Sequence, residues 1–336
     1  MMKVGILGFG QMGILHSALV NTLPGSHISA ICDKNSTLVK LARKSLPDIA
    51  FYSDYLEMVD REDLDAVYIT TPVSLHVPMI TELTRRDNEL SLFVEKPLAS
   101  TFDQALQAIE AVRTSKGKMT VGYQKRFAGT FRKVKEILEN GTIGSPKFFR
   151  SHFYTSDILE EKHGWKFEEG TGGAALEFGP HLIDLIQWYF GIPKTTHVVR
   201  KSVYSRKVED FFNCVFEFDR GVVGSSEVCW SMINYRPYEL QVEIHCEEGA
   251  LVVNEDNLVV YSKKPIAGVL REGPNVFNWW DLTPPLPFLF SHPELVLEDE
   301  HFTRCVQSSE LPMTSFESAA NVNKTIDTIR RAPLQP

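Results

Sequence analysis

Cysteine is scarce: five residues (Cys32, Cys214, Cys229, Cys246 and Cys305) lie scattered through 336, an odd number unsuited to a disulfide framework. There is no CxxC pair and no Cys/His ligand spacing, so no metal site is expected. Buried thiols in a reducing compartment are the expectation instead. Long apolar runs are also missing, and nothing approaches the ~20 residues of a membrane span. The run from Val4 to Leu7 follows the start at once and reads as a strand rather than a signal peptide, which points to the cytoplasm. Basic clusters are lacking too. With 35 Lys and Arg against 43 Asp and Glu, the net charge is −8. Nucleic acid and anionic membranes need clustered cations, so neither is expected as a partner. Internal repeats and low-complexity tracts are absent.

What is present is the composition of a globular chain, 43% hydrophobic and 23% charged, long enough for two domains. Its first third alternates short apolar runs with amphipathic stretches, the pattern of βα units around a parallel sheet. Lys3–Leu7, Ile28–Cys32, Ala66–Thr70, Ser91–Val94 and Thr120–Gly122 read as strands. Gly13–Leu23, Ser36–Ser45, His76–Arg86 and Phe102–Ser115 read as the helices between them. The fold class expected is therefore α/β, with a doubly wound parallel sheet over residues 1–122.

Residues 123–336 read differently, as a second, α+β domain. Helices are expected at Phe131–Asn140 and Pro180–Phe190, the latter with Pro in its first turn and Gly191 at its end. Strands follow at Lys147–Tyr154, Thr196–Arg200, Phe211–Phe218, Val222–Trp230, Glu239–Cys246, Leu251–Asn254 and Leu258–Ser262. Their turn-like spacing predicts a large, mostly antiparallel sheet with helices on one face. Residues 273–293, rich in Pro274, Trp279, Trp280, Pro284, Pro285 and Pro287, are too long for a plain connector. Helices near Leu295–Ser308 and Phe316–Arg331 close the chain.

Gly8-Phe9-Gly10-Gln11-Met12-Gly13 is a G-x-G-x-x-G between a predicted strand and a predicted helix. Asp33 ends the next strand about 20 residues on, as in dinucleotide-binding domains. Gly8 permits the turn, Gly10 lets backbone approach a pyrophosphate, and Gly13 lets the helix pack closely. The helix N-terminus offers N–H groups and its dipole to the phosphates. Asp33 suits the hydroxyls of an adenosine ribose, which favours NAD, while Lys34 keeps NADP open. Nothing later in the chain looks like a flavin-domain signature.

Glu95-Lys96-Pro97 falls at the carboxyl edge of the parallel sheet, where ligands bind in doubly wound folds. A site lysine and a surface lysine fit that position equally. His181 lies in the first turn of a predicted helix, with Glu177 before it and Asp184 one turn on, near enough to orient the imidazole. A capping histidine would look the same.

Taken in order, Gly8–Gly13, Thr71-Pro72 with His76, Glu95-Lys96-Pro97, Gly122–Phe127, Gly141–Pro146, Trp165-Lys166 and Gly172–Asp184 resemble the glucose–fructose oxidoreductase and inositol dehydrogenase (Gfo/Idh/MocA) family. The resemblance implies that Lys96 and His181 act on a substrate hydroxyl beside a nicotinamide. Glu177 stands where the family carries aspartate, so it is a candidate for catalysis or substrate fit. The implied cofactor contacts are Gly8, Phe9, Gly10, Gln11, Met12, Gly13, Asp33, Lys34, Thr71, Pro72, His76, Glu95, Lys96 and Trp165. The implied activity is NAD(P)-dependent oxidoreduction of a sugar, polyol or sugar derivative, without a metal. Relatives that hydrolyse glycosides through transient oxidation, and non-catalytic cofactor-binding regulators, are the alternatives. The resemblance also implies a homodimer or homotetramer built through the C-terminal sheet.

Overall fold

A computed structural model describes residues 1–286 and 292–335. The chain forms two compact units, Met1–Tyr123 with Leu286–Asn323, and Gln124–Pro285 with the residues from Lys324 onward.

The first unit begins β1 (Met2–Leu7), α1 (Gln11–Val20), β2 (Ser26–Cys32), α2 (Ser36–Ser45), β3 (Ala50–Tyr52), α3 (Tyr55–Arg61) and β4 (Ala66–Ile69). It continues through α4 (His76–Arg86), β5 (Ser91–Val94), α5 (Phe102–Val112) and β6 (Met119–Val121). The six strands are ordered β3-β2-β1-β4-β5-β6 and every pairing is parallel. This doubly wound order has its reversal between β1 and β4, where a ligand crevice is expected. The apolar runs are explained by burial on both faces: all of Ala66–Ile69 and Ser91–Val94 are buried.

The sequence reading expected five strands here, and the structure has six. The extra strand, β3, is three half-buried residues, too short to show a period. Helix α3 is also additional to the expected elements; its start is marked by Asp54, whose Oδ1 accepts the Leu56 and Glu57 N–H groups.

The second unit holds α6 (Gly129–Glu139), β7 (Pro146–Tyr154), α7 (Ala174–Glu177), α8 (Gly179–Phe190), β8 (Thr195–Lys201), β9 (Phe211–Glu217) and β10 (Val223–Cys229). It adds β11 (Glu239–Cys246), β12 (Gly249–Val253), β13 (Asn257–Ser262), β14 (Gly273–Asn278) and α9 (Trp279–Leu282). Helices α10 (Pro293–Gln307) and α11 (Phe316–Arg331) and the short strand β15 (Leu334–Gln335) follow. The nine-stranded sheet runs β14-β13-β12-β11-β7-β10-β9-β8-β15. Its pairings are antiparallel except β7 with β10 and β8 with β15. Helix α6 packs on β12 and β13 and α8 on β7 and β10, covering the face to which Phe149, Phe153, Phe212, Phe216 and Ile244 point.

Two further differences concern the C-terminal third. The expected second domain ran continuously over 123–336, but Leu286–Asn323 packs in the first unit. There Phe302 joins Phe9, Tyr68 and Phe93 in one core cluster, and Leu295 and Val296 join Leu19 and Leu23 in another. The Pro- and Trp-rich stretch supplies β14 as an edge strand and α9, whose Asn278 and Asp281 form a reciprocal cap. Pro287 lies outside the described residues.

Candidate functional site

In the first unit the turn from β1 into α1 presents backbone rather than side chains. Gly8 has φ 91°, a left-handed conformation that favours glycine. A Cβ on Gly13 would stand 2.0 Å from the Gly8 carbonyl oxygen and 2.9 Å from Thr70 Oγ1. Gly13 is thus needed for the loop's own closure as well as for helix packing. Thr70 Oγ1 donates to the Gly8 carbonyl at 2.6 Å, bracing the loop from β4. At Gly10 a Cβ would meet nothing within 4 Å, leaving an open cradle. Gly10 is also the N-cap of α1 and provides no side-chain cap, so the first-turn N–H groups remain for an anion. Gln11 and Met12 follow in that turn.

Asp33 accepts the Phe9 N–H at 2.7 Å through Oδ2 and the Asn35 N–H at 2.6 Å through Oδ1. Each oxygen keeps a lone pair for a ribose hydroxyl. A cavity of about 370 Å³ opens beside Asp33 and Lys34, lined also by Val39, Lys40, Arg43 and Tyr52. The bare cradle, the uncapped helix start and the carboxylate fit a dinucleotide.

The loops after β4 and β5 are stitched together by His76, which is buried. Its Nδ1 lies 3.0 Å from the Pro97 carbonyl and its Nε2 2.9 Å from that of Thr71. Burial pushes its pKa down, against the two carbonyls that raise it. Glu95 turns inward: Oε1 faces His16 Nε2 at 3.1 Å, and Oε2 accepts the Lys96 N–H at 3.0 Å. Lys96 is half-buried at the end of β5, and Pro72 is exposed beside Thr71. His16 belongs to no motif in the sequence. Its signal is position, three residues after Gly13 on the buried side of α1.

In the second unit the Gly172-Gly173 pair is held against Lys166. A Cβ on Gly172 would stand 1.9 Å from the Lys166 carbonyl oxygen, and the Gly173 N–H donates to it at 3.0 Å. Helix α7 then carries Glu177, whose Oε1 receives Lys166 Nζ at 2.7 Å. Lys166 Nζ also sits 5.4 Å from the centre of the Trp165 ring, which is 47% exposed. His181 is half-buried in the first turn of α8, its ring 6.1 Å from Phe153.

Asp184 does not orient His181 as the spacing predicts. Both its oxygens are held by Arg126, at 2.9 Å from Nε and 2.6 Å from the terminal nitrogen. Burial raises the Asp184 pKa and Arg126 pulls it back. The neighbouring Lys125, 2% exposed, donates to Tyr238 Oη at 3.1 Å and pairs with Glu255.

The cysteines are all buried and unbridged. One Cys/His pair becomes visible only in the fold: His301 and Cys305, a helical turn apart on α10, gather with Glu310. His301 Nε2 already accepts the Met313 N–H at 2.9 Å, and Glu310 pairs with Arg304 at 2.6 Å. Among the described residues no helix is long and apolar enough to cross a membrane.

Two family profiles match this chain. Residues 2–123 match the profile described as an oxidoreductase family with an NAD-binding Rossmann fold, and residues 131–252 the GFO/IDH/MocA C-terminal domain. The uncharacterized oxidoreductase YrbE of Bacillus subtilis is 30% identical over 198 residues, 59% of this chain and 56% of that protein. The scyllo-inositol 2-dehydrogenase (NAD(+)) of the same organism is 23% identical over 331 residues, 95% of this chain and 91% of its own. A levoglucosan dehydrogenase solved in complex with NADH shares the fold, with a TM-score of 0.87 at 22% identity, covering 98% of this chain and 95% of that one. With the fingerprint loop and both domain profiles in place, the chain belongs to the GFO/IDH/MocA family of oxidoreductases and carries its NAD-binding Rossmann domain over residues 2–123.

Proposed function

We propose that this oxidoreductase interconverts a carbinol and a carbonyl on a sugar, polyol or sugar derivative. The observation that carries the reading is Lys96, set at the carboxyl end of β5 by Glu95 in the unit that holds the fingerprint loop. Gly8, Phe9, Gly10, Gln11, Met12 and Gly13 would hold the pyrophosphate. Asp33 would take the ribose hydroxyls, with Lys34 tolerating a 2′-phosphate. Thr71, Pro72, His76 and Glu95 would shape the edge that receives the cofactor, and Trp165, with its exposed ring, is proposed as a further cofactor contact. When bound, the nicotinamide supplies the acceptor or donor of the hydride exchanged with the carbinol carbon.

The remaining chemistry belongs to the chain. His181 removes the hydroxyl proton as general base, and the Lys96 ammonium holds the oxygen as negative charge develops. Glu177, paired with Lys166, presents an acceptor for a neighbouring substrate hydroxyl. Relatives named for inositols and levoglucosan support a polyhydroxylated substrate.

A panel of aldoses, inositols and nucleotide sugars, run with NAD and NADP and followed by nicotinamide absorbance, tests the activity. With a substrate found, Lys96→Ala and His181→Ala should each lower kcat by about 100-fold or more. Reduced-cofactor affinity, read by fluorescence, should stay within a few-fold. Normal turnover of Lys96→Ala would remove Lys96 from the mechanism.

The protein is also proposed to be a homodimer or homotetramer joined through its C-terminal sheet. Phe148, Val215 and Val223 are exposed on the outer face of that sheet, and exposed apolar patches favour association. Light scattering should give at least a dimer; a monomer at micromolar concentration would refute this.

A further inference from the structure

Inside the first unit, α1, α10 and the end of β5 bring together a histidine and two carboxylates, His16 and Asp299 fully buried and Glu95 nearly so. His16 is fully buried, its Nδ1 2.8 and 3.0 Å from the two oxygens of Asp299 and its Nε2 3.1 Å from Glu95 Oε1. Both ring nitrogens face carboxylates, and only an imidazolium donates from both. The rings of Tyr68 and Phe93 stand 5.2 and 4.9 Å from the imidazole. Tyr68 from β4 and Glu298 from α10, both buried, also bear on the cluster, with Glu294 beside Glu298 and the Lys96 ammonium acting on Glu95.

Three buried charges are costly, and a well-packed apolar core of the same volume is often at least as stable. Stability alone therefore does not account for them. Their arrangement has a direction. Asp299 holds His16, His16 holds Oε1 of Glu95, and Oε2 of Glu95 accepts the backbone N–H of Lys96 at 3.0 Å. Glu95 is thus fixed at both oxygens, and the backbone from which the Lys96 side chain departs is fixed with it. His76 secures the next carbonyl, that of Pro97.

We infer that His16 and Asp299 are positioning residues for Lys96, acting through the Glu95 carboxylate across the hydrogen-bonded chain from α10 to the end of β5. The inference rests on the role proposed above for Lys96. It commits the Glu95 side chain to holding this loop rather than to touching cofactor.

The test uses the full chain with His16→Gln and, independently, Asp299→Asn. Hydrogen exchange of the Lys96 amide is read by NMR, together with amides of β1 and β4 as internal controls. Exchange at Lys96 should quicken at least tenfold while the β1 and β4 amides stay unchanged. With a substrate in hand, kcat should fall at least tenfold while cofactor affinity changes less than twofold. Unchanged Lys96 exchange overturns the inference. A uniform loss of protection across the unit, or failure of both variants to fold, also overturns it by marking a merely structural cluster. If no panel substrate turns over with the unaltered protein, the proposed activity on sugars and polyols falls, and the Lys96 exchange result still decides the positioning.

Discussion

At the scale of one residue, the buried Asp184 carboxylate is committed to the Arg126 guanidinium. It sits one turn after His181, as an orienting carboxylate would, yet Arg126 takes both its oxygens. Nothing in the local pattern around 181–184 signals this, because the partner is 58 residues away in sequence. A buried bidentate pair is strongly destabilising to break and far less so to replace whole. Arg126→Met should therefore cost about 3–5 kcal/mol, and the double change Arg126→Met with Asp184→Leu distinctly less. Urea denaturation measures both. A single-variant loss below about 1 kcal/mol would mean the pair is effectively solvated. The positions of other candidates were legible: Lys96 follows β5, His181 lies in the first turn of α8, Glu177 ends α7, and the fingerprint glycines join β1 to α1. His16 and Asp299 were not, because a buried histidine and a buried aspartate look like any others until the fold brings them together.

At the scale of elements, the glycine loop shows a local pattern carrying nearly all its structural content. The G-x-G-x-x-G demands a strand before and a helix after, and both are found. Gly13 is the tightest point. Any Cβ there meets the Gly8 carbonyl at 2.0 Å, backbone that cannot move without opening the loop. Gly13→Ala is expected to destabilise the protein by about 1–3 kcal/mol and to weaken reduced-cofactor binding at least tenfold. Fluorescence titration and thermal melting read the two effects; unchanged binding would show that the loop yields without loss. Short elements were the hard ones. Strand β3 has three residues and β14 lies in a Pro- and Trp-rich stretch, so neither shows the alternation that identifies strands.

For the whole molecule, the decisive feature is the return of Leu286–Asn323 to the first unit. Helix α10 brings Phe302 to the aromatic cluster of Tyr68 and Phe93, and Asp299 to His16. That return gives the unit a pH signature. Burial alone would lower the His16 pKa, but Asp299 and Glu95 more than offset it, holding it well above 6.5. Its stabilisation is full below pH 6.5 and is lost as pH rises through the folded pKa. Glu298 works in the same sense. Burial raises its pKa well above 4.5, so the folded chain holds this proton to higher pH than the unfolded chain does, and that stabilisation also declines as pH rises. Melting temperature should accordingly fall as pH rises above about 6.5, with a shallower slope in His16→Gln. Calorimetry across that range checks this, and parallel slopes would show that His16 is neutral in the fold. By itself the sequence determined the two kinds of sheet, the cofactor loop and the motif residues, because hydrophobic period, turn chemistry and backbone geometry are local properties. Which buried charges meet, and which unit the C-terminal helix α10 completes, only the tertiary structure decided. Those pairings depend on contacts between residues as much as 283 positions apart, and no local pattern encodes them.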